Sequence, residues 1–296
     1  MERRKERRET LKRLTHLIQS HYGDTYDARP FGSTCYGASS SASDIDVVII
    51  VSGRCNEAEL CLTAQWFQDA DRPYGIPLDD KTPLPLKFTD PETGMSCDVN
   101  INNRLGVYNT ALLRQYCLRS PSLARYLRTV KLWVKSVDLN NPAAERGPRS
   151  FSSYAITLMT VAWLQSTGRL PNLQEDRNVI LYTHFWEYRL GTRRSVPISF
   201  GACKDWVRPQ WLRQPTFQDW LRFWAHEFDF KERVISVRDG GFMARPKQAP
   251  LEWGHNNTDT RDLGSIVVLD PLSARVRRVP SLISVYDLKL KSRCDC

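Results

Sequence analysis

The sequence lacks any long hydrophobic run. Its longest strongly apolar stretch, Val47–Val51, is far short of the ~20 residues a membrane helix needs, so a soluble protein without a membrane partner is expected. It also lacks a C-x-x-C pair. Its eight cysteines are scattered from Cys35 to Cys296, which argues against a zinc knuckle or a small disulfide scaffold and favours reduced thiols inside the cell. No internal repeat, low-complexity tract, or RRM, KH or zinc-finger pattern is visible. Acidic residues are outnumbered, 33 to 42 Lys and Arg, giving a net charge of +9. That balance points to a polyanionic partner, nucleic acid above all. With 296 residues and a hydrophobic fraction of 41%, the chain has material for one or two domains with a buried core, and disorder is excluded as its main state.

Residues 1–22 read as an amphipathic helix with an apolar stripe of Leu11, Leu14, Leu17 and Ile18 among many basic residues. Glu2, Glu6 and Glu9 are interleaved with these. Transit peptides are poor in acids, so a cytoplasmic location is expected, with a mitochondrial one kept open. Residues 23–105 carry short β-type runs at Tyr26–Phe31, Asp46–Val51, Pro85–Thr89 and Ser96–Ile101, with a helical stretch at Asn56–Asp69. Residues 106–296 are dominated by helical spacing at Asn109–Arg119, Ser122–Val137, Ser152–Ser166 and Thr216–Phe228, with a late β-type run at Ser265–Leu269. Trp133, Trp163, Trp220 and Trp224 fall in these helical patterns and read as core.

The chemistry concentrates in Phe31-Gly32-Ser33, followed after ten intervening residues by Asp44-Ile45-Asp46-Val47. Residues two apart on a strand share a face, so Asp44 and Asp46 point one way while Ile45 and Val47 point into a core. Converging carboxylates repel unless a cation joins them, and Mg²⁺ takes oxygen ligands. Asp98, in the alternating run Cys97-Asp98-Val99-Asn100-Ile101-Asn102, is a third acid on a strand. Three such acids can hold two metals ~4 Å apart for in-line phosphoryl transfer. Gly32 and Ser33 supply a phosphate-binding turn, because glycine admits close backbone approach. The bland alternative for a lone D-x-D is a pair of surface carboxylates; the full combination is far more specific.

With these residues in view, the chain resembles the nucleotidyltransferase superfamily that includes DNA polymerase beta. Pro85-Leu86-Lys87-Phe88-Thr89-Asp90, Cys97–Asn103, Asn109-Thr110-Ala111-Leu112-Leu113, Lys131-Leu132-Trp133-Val134-Lys135, Ser152-Ser153-Tyr154 and Pro171-Asn172-Leu173-Gln174 resemble terminal uridylyltransferases and their poly(A) polymerase relatives. Glu227–Phe230 and Val234–Arg238 resemble the poly(A)-polymerase-associated segment of that family. The resemblance implies an α+β fold: a polymerase-beta-like palm with a mixed sheet and helices, then a helical poly(A)-polymerase-associated domain. It also implies that the N-terminal helix packs on the helical domain.

The resemblance assigns roles residue by residue. Asp44, Asp46 and Asp98 would bind Mg²⁺, or Mn²⁺, and catalyse; Gly32 and Ser33 would meet phosphate. Lys131 and Lys135, one helical turn apart, would meet the triphosphate, though two snorkelling surface lysines look the same. Ser153 would contact phosphate and Tyr154 would stack on the base, against the alternatives of a helix cap and a core tyrosine. Asn109 and Thr110 would meet ribose and base, against the alternative of capping the helix that follows. The base-selection loop departs from the family. In uridine-adding members it reads D-P-F-E, two residues, H-N; here it reads Asp270-Pro271-Leu272-Ser273-Ala274-Arg275-Val276-Arg277. Val276 stands in the histidine slot, while Asp270 remains to accept a hydrogen bond from a base. The implied function is template-independent transfer of UMP from UTP to an RNA 3′ end, the targets set by a protein partner. The competing readings are AMP transfer from ATP and a catalytically weak RNA-binding scaffold.

Overall fold

In the computed structural model, the alternating residues around the D-x-D form the centre of a mixed sheet. The structure describes residues 2–41, 43–51, 86–101, 103–142, 150–175, 181–189, 192–201, 205–246, 265–272 and 276–280. The helix expected over Asn56–Asp69, Asn102 and Ser273–Arg275 lie outside those residues. The chain divides into two compact units, Met1–Arg114 and Gln115–Cys296.

The first unit contains α1 (Glu2–Tyr22), β1 (Tyr26–Phe31), β2 (Ile45–Val51), β3 (Leu86–Thr89), β4 (Ser96–Ile101) and most of α2 (Arg104–Arg119). The sheet order is β1-β2-β4-β3, with β2 parallel to β4 and the outer strands antiparallel to their neighbours. Ile45, Val47 and Ile49 of β2, Cys97 and Val99 of β4, and Phe88 of β3 share one core with Leu14 and Ile18 of α1. Successive strand residues point to opposite faces, so α1 covers one face of the sheet and Asp46 and Asp98 project from the other.

One expectation needs correction here, and α1 has a partner that its own sequence did not name: its narrow apolar stripe is buried against the palm strands. Polar contacts fix it there. Asp90, buried in the β3–β4 turn, accepts hydrogen bonds from Thr10 (2.8 Å), Thr93 and Arg13, the last also an ion pair. Burial alone would raise the Asp90 carboxyl, but these donors outweigh it and hold its pKa below the ordinary value. In addition, α2 starts at Arg104, not Asn109. Asn103 Oδ1 accepts from the Gly106 N–H at 3.2 Å, so the residue that caps this helix is Asn103, and Asn109 and Thr110 sit inside it, both buried. The first compact unit ends at Arg114, within α2.

The second unit is less purely helical than expected. It contains α3 (Leu123–Ser136) and α4 (Ser153–Ser166), a hairpin of β5 (Leu181–Arg189) and β6 (Thr192–Phe200), and α5 (Phe217–Arg222), which runs into a π turn at Phe223–Glu227. A four-stranded sheet, β10-β9-β7-β8, is built from β7 (Arg233–Ser236), β8 (Gly241–Ala244), β9 (Ser265–Leu269) and β10 (Val276–Pro280). The stripe Leu123, Leu127, Val130 and Val134 is the buried face of α3. Helix α4 is buried from Ala155 to Gln165 and packs on β7, β8, β9 and α3. Gly241 permits that packing: at φ +127° its added Cβ would lie 2.5 Å from the Ala162 carbonyl oxygen. Trp163, Trp220 and Trp224 are buried core residues, while Trp133 is half-buried against Phe217 at 5.3 Å. Among the described residues no helix is long and apolar enough to cross a membrane.

Candidate active site

Strand register brings two of the three acids together. Asp46 of β2 pairs directly with Asp98 of β4, and Asp98 pairs on its other side with Lys87 of β3. In-register partners on neighbouring strands present their side chains to one face, so Asp46, Asp98 and Lys87 form a row. Lys87 Nζ lies 2.9 Å from Asp98 Oδ2. Its pKa is raised, first by that hydrogen bond and further by the charges of Asp98, Asp44 and Asp46. All three carboxylates therefore act on one ammonium. Asp44 is exposed, immediately before β2.

A hard divalent cation fits this donor set. The donors are carboxylate oxygens, their mutual repulsion is already answered by a cation, and soft ligands are withheld. Burial, helped by nearby carboxylates, pushes the Cys97 thiol up to about 12, and burial likewise raises that of Cys35. Among the described residues no trio of His, Cys, Asp or Glu is closed into a finished metal cage; the closed arrangement is the one around Lys87.

The turn after β1 meets the same row. Phe31 pairs with Asp46, and the next residues, Gly32–Thr34, form one 3-10 turn. Gly32 has φ +74°, and a Cβ there would lie 2.1 Å from Asp46 Oδ2. The backbone thus passes within contact of the carboxylate, and only glycine fits. The Gly32 N–H donates to Thr110 Oγ1 at 2.8 Å, and that hydroxyl donates to the Gly106 carbonyl at 2.7 Å. Thr110 therefore braces the turn from α2, and its donor is committed to the helix. Asn109 lies beside it in α2.

The remaining candidates belong to the second unit. Lys131 and Lys135 share a face of the last turns of α3. Ser152 caps α4, accepting from the Ala155 N–H at 3.1 Å. Ser153 is the first residue of α4, and its hydroxyl donates to Asn140 Oδ1 at 2.9 Å. With that proton committed, the anion-binding donors at this helix start are backbone N–H groups. Tyr154 Oη donates to Asp270 Oδ2 at 3.2 Å, while the Leu272 N–H donates to Asp270 Oδ1 at 3.1 Å. Asp270 is buried at 3% exposure. It holds the tyrosine in place through one oxygen and the start of its own turn through the other. Val276 lies on β10 opposite Leu269.

Four residues received no role from the sequence, three of them inside motifs it had marked: Lys87, Asn140, Asn172 and Gln174. Lys87 could have been read from the alternation in Leu86–Thr89, which places it on the face opposite Phe88. Asn140 carries no sequence signal for its bond to Ser153. Gln174 Nε2 holds the Pro271 carbonyl at 2.9 Å and Asn172 Nδ2 holds that of Arg238, also at 2.9 Å. The Pro171–Gln174 motif is thus a clamp on the Asp270 loop and the β7–β8 turn.

Two family models match the chain: "Poly(A) RNA polymerase, mitochondrial-like, central palm domain" over residues 1–118 and "Cid1 family poly A polymerase" over residues 217–275. The chain is 30% identical over 286 residues to poly(A) RNA polymerase cid13 of Schizosaccharomyces pombe, covering 90% of this chain and 47% of that protein. It is 30% identical over 254 residues to human terminal uridylyltransferase 7, covering 76% of this chain and 16% of that protein. The chain therefore spans about half the length of the first relative and a small part of the second. Among solved structures it is similar to Cid1 poly(U) polymerase bound to MgGTP, with a TM-score of 0.74 at 22% identity, covering 99% of this chain and 88% of that one. Cid1 in complex with the UTP analogue UMPNPP matches with a TM-score of 0.72 at 20% identity, covering 99% and 86%. These likenesses establish the fold: a nucleotidyltransferase palm followed by a poly(A)-polymerase-associated domain.

Proposed function

The chain belongs to the Cid1-type family of poly(A) polymerases and terminal uridylyltransferases, and from that premise we propose that it is a template-independent RNA 3′-terminal nucleotidyltransferase that adds UMP from UTP. The observation that carries the reading is the row Asp46–Asp98–Lys87, with Asp44 beside it and the Gly32 turn against Asp46. The oxygen of an RNA 3′-hydroxyl attacks the α-phosphorus of the triphosphate. The bond from that phosphorus to the bridging oxygen breaks, pyrophosphate leaves, and the RNA is one nucleotide longer.

Asp44, Asp46 and Asp98 would hold Mg²⁺, or Mn²⁺, which when bound would neutralise charge on the triphosphate and ease ionisation of the attacking hydroxyl. Asp98 receives the hydroxyl proton, its Oδ2 first released by Lys87. The Gly32-Ser33 turn and the Lys131–Lys135 face offset phosphate charge, and the Ser153 end of α4 adds backbone donors. Tyr154 is the stacking platform for the base, oriented through Asp270. The target RNA is chosen with the help of a separate targeting protein.

AMP transfer from ATP is the second reading. It is favoured by Val276 in the position where uridine-adding relatives carry histidine. Extension of a labelled single-stranded RNA with Mg²⁺ and each triphosphate separately, beside Asp98→Ala, tests both. UTP-dependent extension is expected. Preference for ATP would move the protein to the second reading. No extension with any triphosphate would refute both and leave the scaffold, and extension that survives Asp98→Ala would refute the three-carboxylate mechanism.

A further inference from the structure

A basic cavity of about 240 Å³ opens in the second unit, lined by Ser122, Arg125, Tyr126, Arg169, Arg208 and Gln214 among others. It lies at the opposite end of the α3–α4 pair from the nucleotide residues. Arg125 and Tyr126 occupy the first turn of α3 and Lys135 its last. Ten residues at 1.5 Å rise separate Arg125 from Lys135 by about 15 Å along the helix. Arg169 follows the C-terminal end of α4, while Ser153 and Tyr154 begin it.

Three guanidinium groups converge on this cavity, and among the described residues none of them forms an ion pair. Asp219 carries the nearby negative charge, and it is occupied by Arg213 and by the Thr216 cap. Arg169 is steered by a bond from its Nε to the Arg213 carbonyl at 3.4 Å. The tyrosine is anchored as well, its hydroxyl donating to the Thr216 carbonyl at 2.8 Å. Forked cations, a serine hydroxyl and an anchored ring match a phosphate ester.

The rim supplies a second, independent feature. A turn closed by the Leu212 N–H on the Pro209 carbonyl (3.1 Å) sits between Arg208 and Gln214. Leu212 faces inward, 3.8 Å from where a Cβ on Gly168 would lie. Trp211 faces out and is 82% exposed. A tryptophan left in solvent beside arginines is the composition of a single-strand platform: a base stacks on the ring and its phosphates meet the cations.

We propose that this cavity and Trp211 form a second RNA subsite, which holds the phosphodiester backbone and one base of a single strand upstream of the reacting 3′ end. The inference rests on the RNA-extending function proposed above. It differs from a phosphopeptide pocket in the exposed stacking ring and from a free-phosphate site in needing a strand.

The test measures binding of a labelled single-stranded RNA of about 15 nucleotides by fluorescence anisotropy over a salt series. The proteins are wild type, the triple variant Arg125→Gln/Arg169→Gln/Arg208→Gln, and Trp211→Ala, whose exposed site keeps the fold out of the question. The triple variant is expected to bind about tenfold more weakly, with a salt slope lower by about 2, or ~0.7 per lost single-strand phosphate contact. Trp211→Ala is expected to bind about tenfold more weakly with the slope unchanged. Extension of a primer too short to reach the cavity is expected to be unaffected in both variants. Wild-type affinity in Trp211→Ala, or an unchanged salt slope in the triple variant, would overturn the proposal. So would competition by inorganic phosphate, AMP or a phosphopeptide at the concentration at which RNA binds. Failure of the wild type to extend any primer, with the binding losses present, would remove the catalytic reading and leave the subsite standing.

Discussion

Replacing Gly32 with alanine separates two effects that the structure places on one residue. The first is conformational: at φ +74° an L side chain costs about 1–2 kcal/mol. The second is steric. The new Cβ would lie 2.1 Å from Asp46 Oδ2 and 2.9 Å from its Cγ, more than about 1 Å inside ordinary contact. Asp46 must leave its rotamer or β2 must shift, at a further cost of about 1 kcal/mol. Together these predict a loss of about 2–3 kcal/mol, or roughly 8–13 °C in the Tm of the unit holding the sheet. The effect on rate is of similar size in free energy, because displacing a group at the reacting centre by 1 Å costs about 100-fold. Gly94→Ala is the matched control: Gly94 has φ +63° and nothing within 4 Å of its added Cβ. It should lose about 1–2 kcal/mol and keep full activity. Thermal unfolding and single-turnover nucleotide addition, measured on both variants, decide the matter. Gly32→Ala activity within threefold of wild type, or equal activity losses in the two variants, would refute the argument.

Tyr154→Phe removes the donor to buried Asp270 and should cost about 1–3 kcal/mol of stability while leaving base stacking intact. Tyr154→Ala should in addition raise KM for the triphosphate about tenfold or more; equal KM values for the two variants would count against the platform. Asp219→Ala removes the capping box of α5 and should cost about 1 kcal/mol at neutral pH. The Arg213 hydrogen bond, followed by the Thr216 cap, holds the Asp219 carboxyl below its ordinary pKa despite partial burial. Its contribution is therefore complete above the unfolded pKa of about 4 and fades as pH falls through the folded value. A stability gap between wild type and Asp219→Ala that widens on acidification would contradict this. Leu127→Ala, at a fully buried position of α3, should lower stability by about 2–5 kcal/mol in chemical denaturation.

The palm was largely legible because period-two alternation is a local signal. Ile45, Val47, Cys97 and Val99 announced their buried face, and with it the face of Asp46 and Asp98. The neighbours of that face were not legible. Nothing local says that β2 and β4 pair in parallel with Asp46 opposite Asp98, or that Lys87 completes the row. The first turn of α2 was obscured by Gly106 and Val107, poor helix formers, which shifted the expected start to Asn109. The hairpin β5–β6 went unread because its charged and aromatic residues mask the alternation of Val196, Ile198 and Phe200. The partner of the N-terminal helix is a tertiary fact: the stripe Leu14 and Ile18 specifies burial, not against what.

The bond between Tyr154 and Asp270 joins residues 116 apart in the chain. During synthesis at about 5–20 residues per second, the tyrosine emerges roughly 6–23 s before the aspartate that steadies it. For that interval the palm, which precedes both, can already be assembled while the base platform is unbraced. A nascent or truncated chain ending before Asp270 would carry all three acids and a loosely held base. Competence therefore arrives late, with the C-terminal strands, and not when the last catalytic carboxylate leaves the ribosome.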